Sequence, residues 1–215
     1  MDEKSHEKLT NYVRELFAPE DDLLKRIRAE SEQAGMPQIH VQSEEGRMIQ
    51  FLLVAVGAKR VVEIGTLAGY SGTWIARALP PDGKLITVDN NPDHSAFARR
   101  MFEQGGVLDR VEIRTGDALQ NLATLSKGSP YDAIFIDANK DGYPAYLDWA
   151  IENIRMGGLI LAHNAFFGGS VVGLEKRDAK LVEGLKEFNQ RIASDPRLFG
   201  MIVPIGDAFA AAIRR

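Results

Sequence analysis

A chain of 215 residues with 45% hydrophobic and 26% charged residues has the size and balance of one globular domain with a sizeable core. Its formal net charge of −4, with no basic block, excludes nucleic acid as a main partner, because phosphate binding needs a basic face. There is no cysteine, so disulfides, thiolate metal sites and cysteine nucleophiles are excluded as well.

The segment from Met1 to Lys8 is charged throughout, unlike a signal peptide, and no apolar run approaches the roughly 20 residues of a membrane span. A cytoplasmic protein with no membrane partner is expected. Residues 5–56 read as helices: Leu9, Tyr12, Val13, Leu16 and Phe17 fall at helical spacing, and Leu23, Leu24, Ile27 and Ala34 do so more loosely. Gly35 and Pro37 interrupt the pattern. Ser43, followed by Glu44, Glu45 and Gly46, reads as an N-cap with acidic first-turn residues, before a helix carrying Met48, Ile49, Leu52, Leu53 and Val56.

From residue 60 the rhythm changes. Short apolar runs at Val61–Ile64, Leu85–Val88, Val111–Ile113, Ala133–Ile136 and Leu159–Ala162 alternate with helical stretches at Ser71–Leu79, Pro92–Gln104, Leu119–Leu125 and Tyr143–Asn153. That order predicts a parallel sheet with helices on both faces. Residues 179–194 read as one more amphipathic helix. Gly200–Ile205 and Ala208–Ile213, joined at Gly206-Asp207, read as a terminal antiparallel hairpin. Ligands in such sheets bind beyond the carboxyl ends of the strands, so the residues just after each strand carry the functional information.

The first strand runs into Glu63-x-Gly65-x-x-x-Gly69, a loop leading to a helix start whose backbone amides attract an anion. Leu67 stands where a dinucleotide fingerprint needs a glycine, so a small carboxylate suits the loop better than a pyrophosphate. The plain alternative is a strand–turn–helix corner with two glycines. Asp89 ends the second strand, placed either for ribose hydroxyls or as a cap before Pro92, a task that Asn90 or Asn91 could also take. Gly116 and Asp117 end the third, at the corner beside a base or as a turn and N-cap. The three corners together point to an adenosine-bearing ligand without a diphosphate. Asp137 ends the fourth strand with Lys140 three residues on, and His163-Asn164 ends the fifth. Were these strands neighbours, Asp137, His163 and Asn164 would converge as a carboxylate, an imidazole and an amide oxygen able to bind a divalent cation. A surface Asp137–Lys140 ion pair and a strand-end histidine is the alternative.

These pieces, with "SEEGRMIQFLLVAVGAKRVVEIGTLAGYSGTWIARAL", "ITVDNNPD", "RTGDAL", "YDAIFIDANKDGYPAYLDWA" and "VPIGDAF", resemble one family over most of the chain. It is that of the small cation-dependent, S-adenosylmethionine-using O-methyltransferases, which includes the caffeoyl-CoA and catechol O-methyltransferases and their bacterial relatives. The resemblance implies an α/β, Rossmann-like class I methyltransferase fold. This has a seven-stranded, mostly parallel sheet, a terminal antiparallel hairpin, and extra N-terminal helices over 1–56 ahead of a cofactor-binding core at 57–215, all in one domain. It implies S-adenosylmethionine as cofactor, with Glu63, Gly65, Thr66, Tyr70 and Ser71 around the methionyl part and Asp89 and Asn90 at the ribose. Asp117-Ala118 fall at the adenine, and Val41, Asp137 and Tyr146 also beside the cofactor. His40, Asn139, Phe166 and Phe167 fall at the acceptor pocket.

Of the family's Asp, Asp, Asn metal ligands, the first matches Asp137 and the third Asn164, while the second position is His163; the family's catalytic lysine matches Lys140. Neutral imidazole suits Mn, Fe, Co or Zn and suits Mg or Ca poorly, so either the metal preference has shifted or no metal is needed. Two further departures are Phe166 and Phe167 in place of Leu and Trp, and Ala208 where many relatives have Gly.

The expected reaction is transfer of a methyl group to a hydroxyl of a small aromatic, catechol- or phenylpropanoid-like acceptor, metal-assisted, with Lys140 taking the proton and Asp137 beside it. Two other readings compete: a cofactor-binding protein whose catalysis is lost or metal-independent through His163, and a nicotinamide dehydrogenase, which the missing G-x-G-x-x-G disfavours. The apolar stripe Leu9, Tyr12, Val13, Leu16 and Phe17 marks an interface, and both the commonest symmetry and the resemblance point to a homodimer.

Overall fold

The computed structural model describes residues 3–215; Met1 and Asp2, the start of the charged N-terminal stretch, lie outside the described residues. Three helices come first: α1 (Glu3–Phe17), α2 (Asp22–Gln33) and α3 (Ser43–Ala55). Asp21 caps α2 by accepting a hydrogen bond from the Leu24 amide at 3.0 Å. Ser43 is not the cap of α3, contrary to the sequence reading. Gln42 takes that place because Glu45, one turn in, reaches back and accepts from the Gln42 amide at 2.6 Å.

The alternation then runs β1 (Arg60–Ile64), α4 (Tyr70–Ala78), β2 (Lys84–Asp89), α5 (Pro92–Gln104), β3 (Val111–Thr115), α6 (Ala118–Leu125), β4 (Tyr131–Ile136), α7 (Tyr143–Asn153), β5 (Ile154–His163), α8 (Ala179–Ser194), β6 (Leu198–Val203) and β7 (Phe209–Arg214). The strand order is β3-β2-β1-β4-β5-β7-β6. The first five strands pair in parallel, whereas β7 is antiparallel to both β5 and β6. The terminal hairpin thus docks by its second strand, with β6 at the edge. β5 is longer than its apolar run, since the "IRMGG" start already pairs at Ile154 with Tyr131 before a register shift.

Alternate strand residues feed two cores, as the period of two requires. Val61, Leu85, Ala133, Phe135, Leu159, Leu161 and Phe209 face Leu24, Ile27, Ile49, Leu53, Ile75 and Phe102 from α2 to α5. Val62, Ile64, Ile86, Val88, Ile134, Ile136, Ile160 and Ala162 face Leu122, Leu147, Ile151, Leu185 and Phe188 on the other side. Phe135 and Phe209 stack with ring centroids 6.1 Å apart at the sheet centre, and truncating a ring so buried costs roughly 3–5 kcal/mol.

This order also positions the site. Chain progression across the sheet reverses between β1 and β4, so the loops after these two strands diverge and leave a crevice at their carboxyl ends.

Candidate active site

A cavity of about 1150 Å³ opens at that reversal point, walled by the ends of β1, β2, β4 and β5 and by the segment before α3. Gly65 leaves β1 at φ +99°, and a Cβ there would lie 2.0 Å from the Asp137 carbonyl oxygen. The two strand ends approach this closely because position 65 has no side chain. Leu67 sits in the left-handed region at φ 46°, a strained conformation for a leucine. It is held by Asp89, whose Oδ2 accepts from the amides of Thr66 (3.1 Å) and Leu67 (2.8 Å). The other oxygen, Oδ1, accepts from the Asn91 amide at 2.9 Å. Asp89 therefore grips the glycine loop from the end of β2 while still facing the cavity. Capping of α5 falls to Asn91, which accepts from the Asp93 amide at 2.8 Å. Asp117 both lines the cavity and caps α6 through the Gln120 amide at 2.8 Å.

Gly65→Ala is expected to destabilise the protein by at least about 1–3 kcal/mol from backbone conformation alone. The melting temperature should drop by at least roughly 2–4 °C per kcal/mol. An unchanged thermal midpoint would contradict this packing of β1 against β4.

Glu63 lies one layer behind the wall. It is fully buried, with Oε1 accepting from the Ser71 hydroxyl at 2.7 Å and Oε2 from Thr87 at 2.6 Å. Burial pushes its carboxyl up to about 7. Thr66 continues the network through a 2.6 Å contact with Thr87. Ser71, Asn90, Ala118 and Tyr146 line the cavity directly.

On the side of the N-terminal helices, Tyr70 donates to Glu20 at 2.5 Å and lies beneath the Arg28 guanidinium, 4.1 Å from its ring centre. Arg28 in turn donates to the Val41 carbonyl at 2.8 Å, fixing the segment that carries Val41 and His40 into the cavity wall. His40 is bound to Ser31 Oγ at 3.0 Å, and burial lowers its imidazole to about 4. It is therefore neutral at pH 7.

The far end of the cavity holds the titratable cluster. Lys140 is buried; its Nζ donates to the Tyr143 hydroxyl oxygen at 2.6 Å and lies 3.3 Å from Asp137 Oδ1. The Tyr143 proton is shared between the carbonyls of Ile136 (3.2 Å) and His163 (3.1 Å), so Tyr143 ties the ends of β4 and β5 and fixes the amine between them. Burial lowers the Lys140 ammonium against the pull of Asp137. Burial pushes Asp137 up, but the charges of Lys140 and His163 outweigh it and hold the carboxyl below its usual range.

His163 stands between two carboxylates, with Nδ1 3.3 Å from Asp137 Oδ2 and Nε2 3.1 Å from Glu45 Oε1. Burial opposes its charge, yet the hydrogen bonds to Asp137 and Glu45 prevail and raise it to about 9.

The predicted metal half-site is thus arranged differently from the expectation. Asp137, His163 and Asn164 do line one cavity. However, both imidazole nitrogens face carboxylates, each Asp137 oxygen faces a cationic donor, and the Asn164 amide donates to Asp207 at 3.0 Å. A ligating imidazole needs a free nitrogen lone pair, so this donor set does not fit a divalent cation. Among the described residues, no group of three or more His, Asp or Glu side chains is placed to hold a metal ion.

The acceptor side requires one correction. Phe167 lines the cavity beneath the Arg177 guanidinium, 4.4 Å from the ring centre, but Phe166 is exposed and outside the lining. The turn after β5 places Asn164 (φ 56°) and Phe167 (φ 50°) in the left-handed region and so directs the two rings apart. Asn139 faces the cavity with its amide bound to Asp141 and its oxygen accepting from Tyr146 at 2.8 Å. Among the lining residues that escaped the sequence reading are Glu45, Arg177, Leu181 and Asp207. For Glu45 a signal existed, since the third helical position is where a capping glutamate belongs. Arg177 and Leu181 arrive from a distant segment, and nothing local marks them.

The comparison with sequence families turns this geometry into a membership: the family described as O-methyltransferase matches residues 14–215. The chain belongs to the O-methyltransferase family. It is 38% identical over 197 residues to the catechol O-methyltransferase of Niastella koreensis, covering 91% of this chain and 89% of that protein. The O-methyltransferase from Bacillus cereus, solved in complex with SAH, superposes with a TM-score of 0.90 at 33% identity over 97% of each chain. TomG, an O-methyltransferase from Streptomyces achromogenes solved with SAM and involved in tomaymycin synthesis, superposes with a TM-score of 0.91. It is 30% identical and covers all of this chain and 99% of its own. In this family member the imidazole at the end of β5 stands between two carboxylates. No helix among the described residues is long and apolar enough to cross a membrane.

Proposed function

We propose that the chain transfers the methyl group of S-adenosylmethionine to a hydroxyl of a small, catechol-like aromatic acceptor. The observation that carries this reading is the charge of the cavity. Glu45, Asp89, Asp117, Asp137, Asp141 and Asp207 line it against Lys140, Arg177 and His163. S-adenosylmethionine brings a sulfonium and an ammonium against one carboxylate, so an acidic cavity attracts it, whereas a pyrophosphate cofactor would be repelled. Asp89 accepts from the ribose hydroxyls, Asp117 and Ala118 border the adenine, and the loop from Gly65 to Ser71, backed by Glu63, receives the methionyl end.

At the other end, Phe167 and Leu181 offer apolar walls and Asn139 and Asn164 polar edges, which suits a hydroxylated ring. The acceptor oxygen attacks the methyl carbon, the carbon–sulfur bonding pair returns to sulfur, and a neutral thioether leaves. The acceptor proton passes to Lys140 Nζ, which reaches the neutral amine more readily because burial lowers its affinity for protons. Tyr143 and Asp137 keep that nitrogen in place. The divalent cation expected from the resemblance has no part in these steps, because the donor set does not fit it.

The test is calorimetric titration with S-adenosylmethionine and with NADH, followed by incubation with simple catechols and product analysis by mass spectrometry. Saturable binding of S-adenosylmethionine alone and a gain of one methyl group on the acceptor support the reading. Binding of NADH instead, or no methylated product from any hydroxylated acceptor, overturns it.

We also propose a homodimer. Leu9, Tyr12, Leu16 and Phe17 on α1 and Phe51 and Val54 on α3 are all more than half exposed, on two helices that touch each other. Light scattering should give about twice the chain mass of 23.7 kDa; a value near 23.7 kDa refutes it.

A further inference from the structure

We infer that methyl transfer by this chain proceeds without a divalent cation, and that a hydrogen-bonded ion chain, Glu45–His163–Asp137–Lys140, builds the acceptor end of the cavity instead. The inference rests on the reading of the site as a methyltransferase.

The ion chain crosses three elements. Glu45 is almost wholly buried on α3, with one oxygen on the Gln42 amide and the other on His163 Nε2. His163, at the tip of β5, reaches Asp137 through Nδ1 and packs tilted against Phe209 with ring centroids 4.9 Å apart. Asp137, at the tip of β4, passes its second oxygen to Lys140. An imidazole set between two carboxylates satisfies both only by donating from both nitrogens, which makes it the cation of the pair.

The local backbone accommodates this arrangement. Gly206, at φ +56°, passes so close that a Cβ there would lie 1.8 Å from Glu45 Oε1. The carboxylate is therefore enclosed rather than free to swing out toward an ion. Two carboxylates and two cationic side chains sum to zero charge, and a divalent ion would have to displace His163 from both partners to gain oxygen ligands. The Asn164 side-chain oxygen Oδ1 alone stays uncommitted among the three expected ligands. The ion chain does what a bound cation would otherwise do for the protein itself: it joins α3, β4 and β5, and it orients Asp137 toward Lys140. His163 and Glu45 are positioning residues in this arrangement, while Lys140 meets the acceptor.

The experiment uses the full chain after exhaustive chelation and has two independent readouts. Titration with Mn²⁺, followed by calorimetry and by metal analysis after gel filtration, should show no stoichiometric binding to wild type. His163→Asp removes the internal cation and leaves a second carboxylate beside Asp137 and Asn164, so it should bind one Mn²⁺ per chain. Turnover of chelated wild type on a catechol should stay within about twofold of the untreated enzyme, far less than the several kcal/mol a catalytic metal contributes. One tightly bound Mn²⁺ per wild-type chain, or turnover lost on chelation and restored by metal, overturns the inference. A His163→Asp variant that folds and still takes up no Mn²⁺ also counts against it. Binding of S-adenosylmethionine by the chelated protein is measured alongside. Its loss strikes the methyltransferase reading, whereas the metal titration judges the ion chain whether or not an acceptor is found.

Discussion

Lys140→Ala is expected to lower turnover by about 10²–10⁴, the usual contribution of a positioned general base, while changing the affinity for S-adenosylmethionine by no more than about twofold. The split follows from position. The amine is buried and held by Tyr143 and Asp137, at the end of the cavity proposed for the acceptor, while the loop from Gly65 to Ser71 is proposed for the cofactor. Removing it leaves Asp137 with His163 as its remaining cationic partner, and the cavity wall otherwise unchanged. Lys140→Arg keeps the charge but cannot release a proton near neutral pH, so it should fall with alanine rather than with wild type. Single-turnover measurements at saturating acceptor read the chemical step directly. A rate within about twofold of wild type would make Lys140 a structural cation.

Asp89→Ala is expected to weaken S-adenosylmethionine binding by at least about tenfold. The two charge-assisted hydrogen bonds proposed between Asp89 and the ribose would be worth roughly 1.5–3 kcal/mol each, and tenfold is only about 1.4 kcal/mol. Tenfold is a lower bound because the same carboxylate holds the loop. Without it, the amides of Thr66, Leu67 and Asn91 lose their acceptor, and Leu67 loses what holds it at positive φ. The variant should therefore also melt earlier than wild type. Calorimetry gives the first effect and thermal denaturation the second. Unchanged affinity would remove Asp89 from the cofactor site, whatever the melting curve shows.

Much of this architecture was legible because periodicity and caps are local. α5, α7 and α8 begin and end where the helical pattern does, and Asn91 caps α5 as its place before Pro92 allows. Strand ends were legible for the same reason: an apolar run broken by a single acid, as at Asp89 and Asp137, marks both the end of the strand and the group presented there. Global relations were less visible. Which hairpin strand docks on β5 depends on how Phe209, Ala210 and Ala212 fill space between the two cores, and not on their own spacing. Phe166 and Phe167 look equivalent in a string, and only the left-handed turn separates them.

The histidine shows the limit most clearly. Beside Asn164, and opposite Asp137 across neighbouring strands, His163 reads as a ligand. Its state depends on Glu45, 118 residues away, whose carboxylate takes the nitrogen a metal would need. Glu45 reads locally as a helix cap, and it is one, but only one of its oxygens is used that way. The second points into the site because α3 packs across the end of the sheet.

Methyl transfer is tested most directly by one measurement: incubation of the purified chain with S-adenosylmethionine labelled in its methyl carbon and a simple catechol, wild type beside Lys140→Ala. Label should appear on an acceptor oxygen, one methyl per S-adenosylhomocysteine formed, and the variant should transfer it about 10²–10⁴ more slowly. Label that stays on the cofactor across hydroxylated aromatic acceptors, or reaches an acceptor equally fast in both proteins, would contradict it.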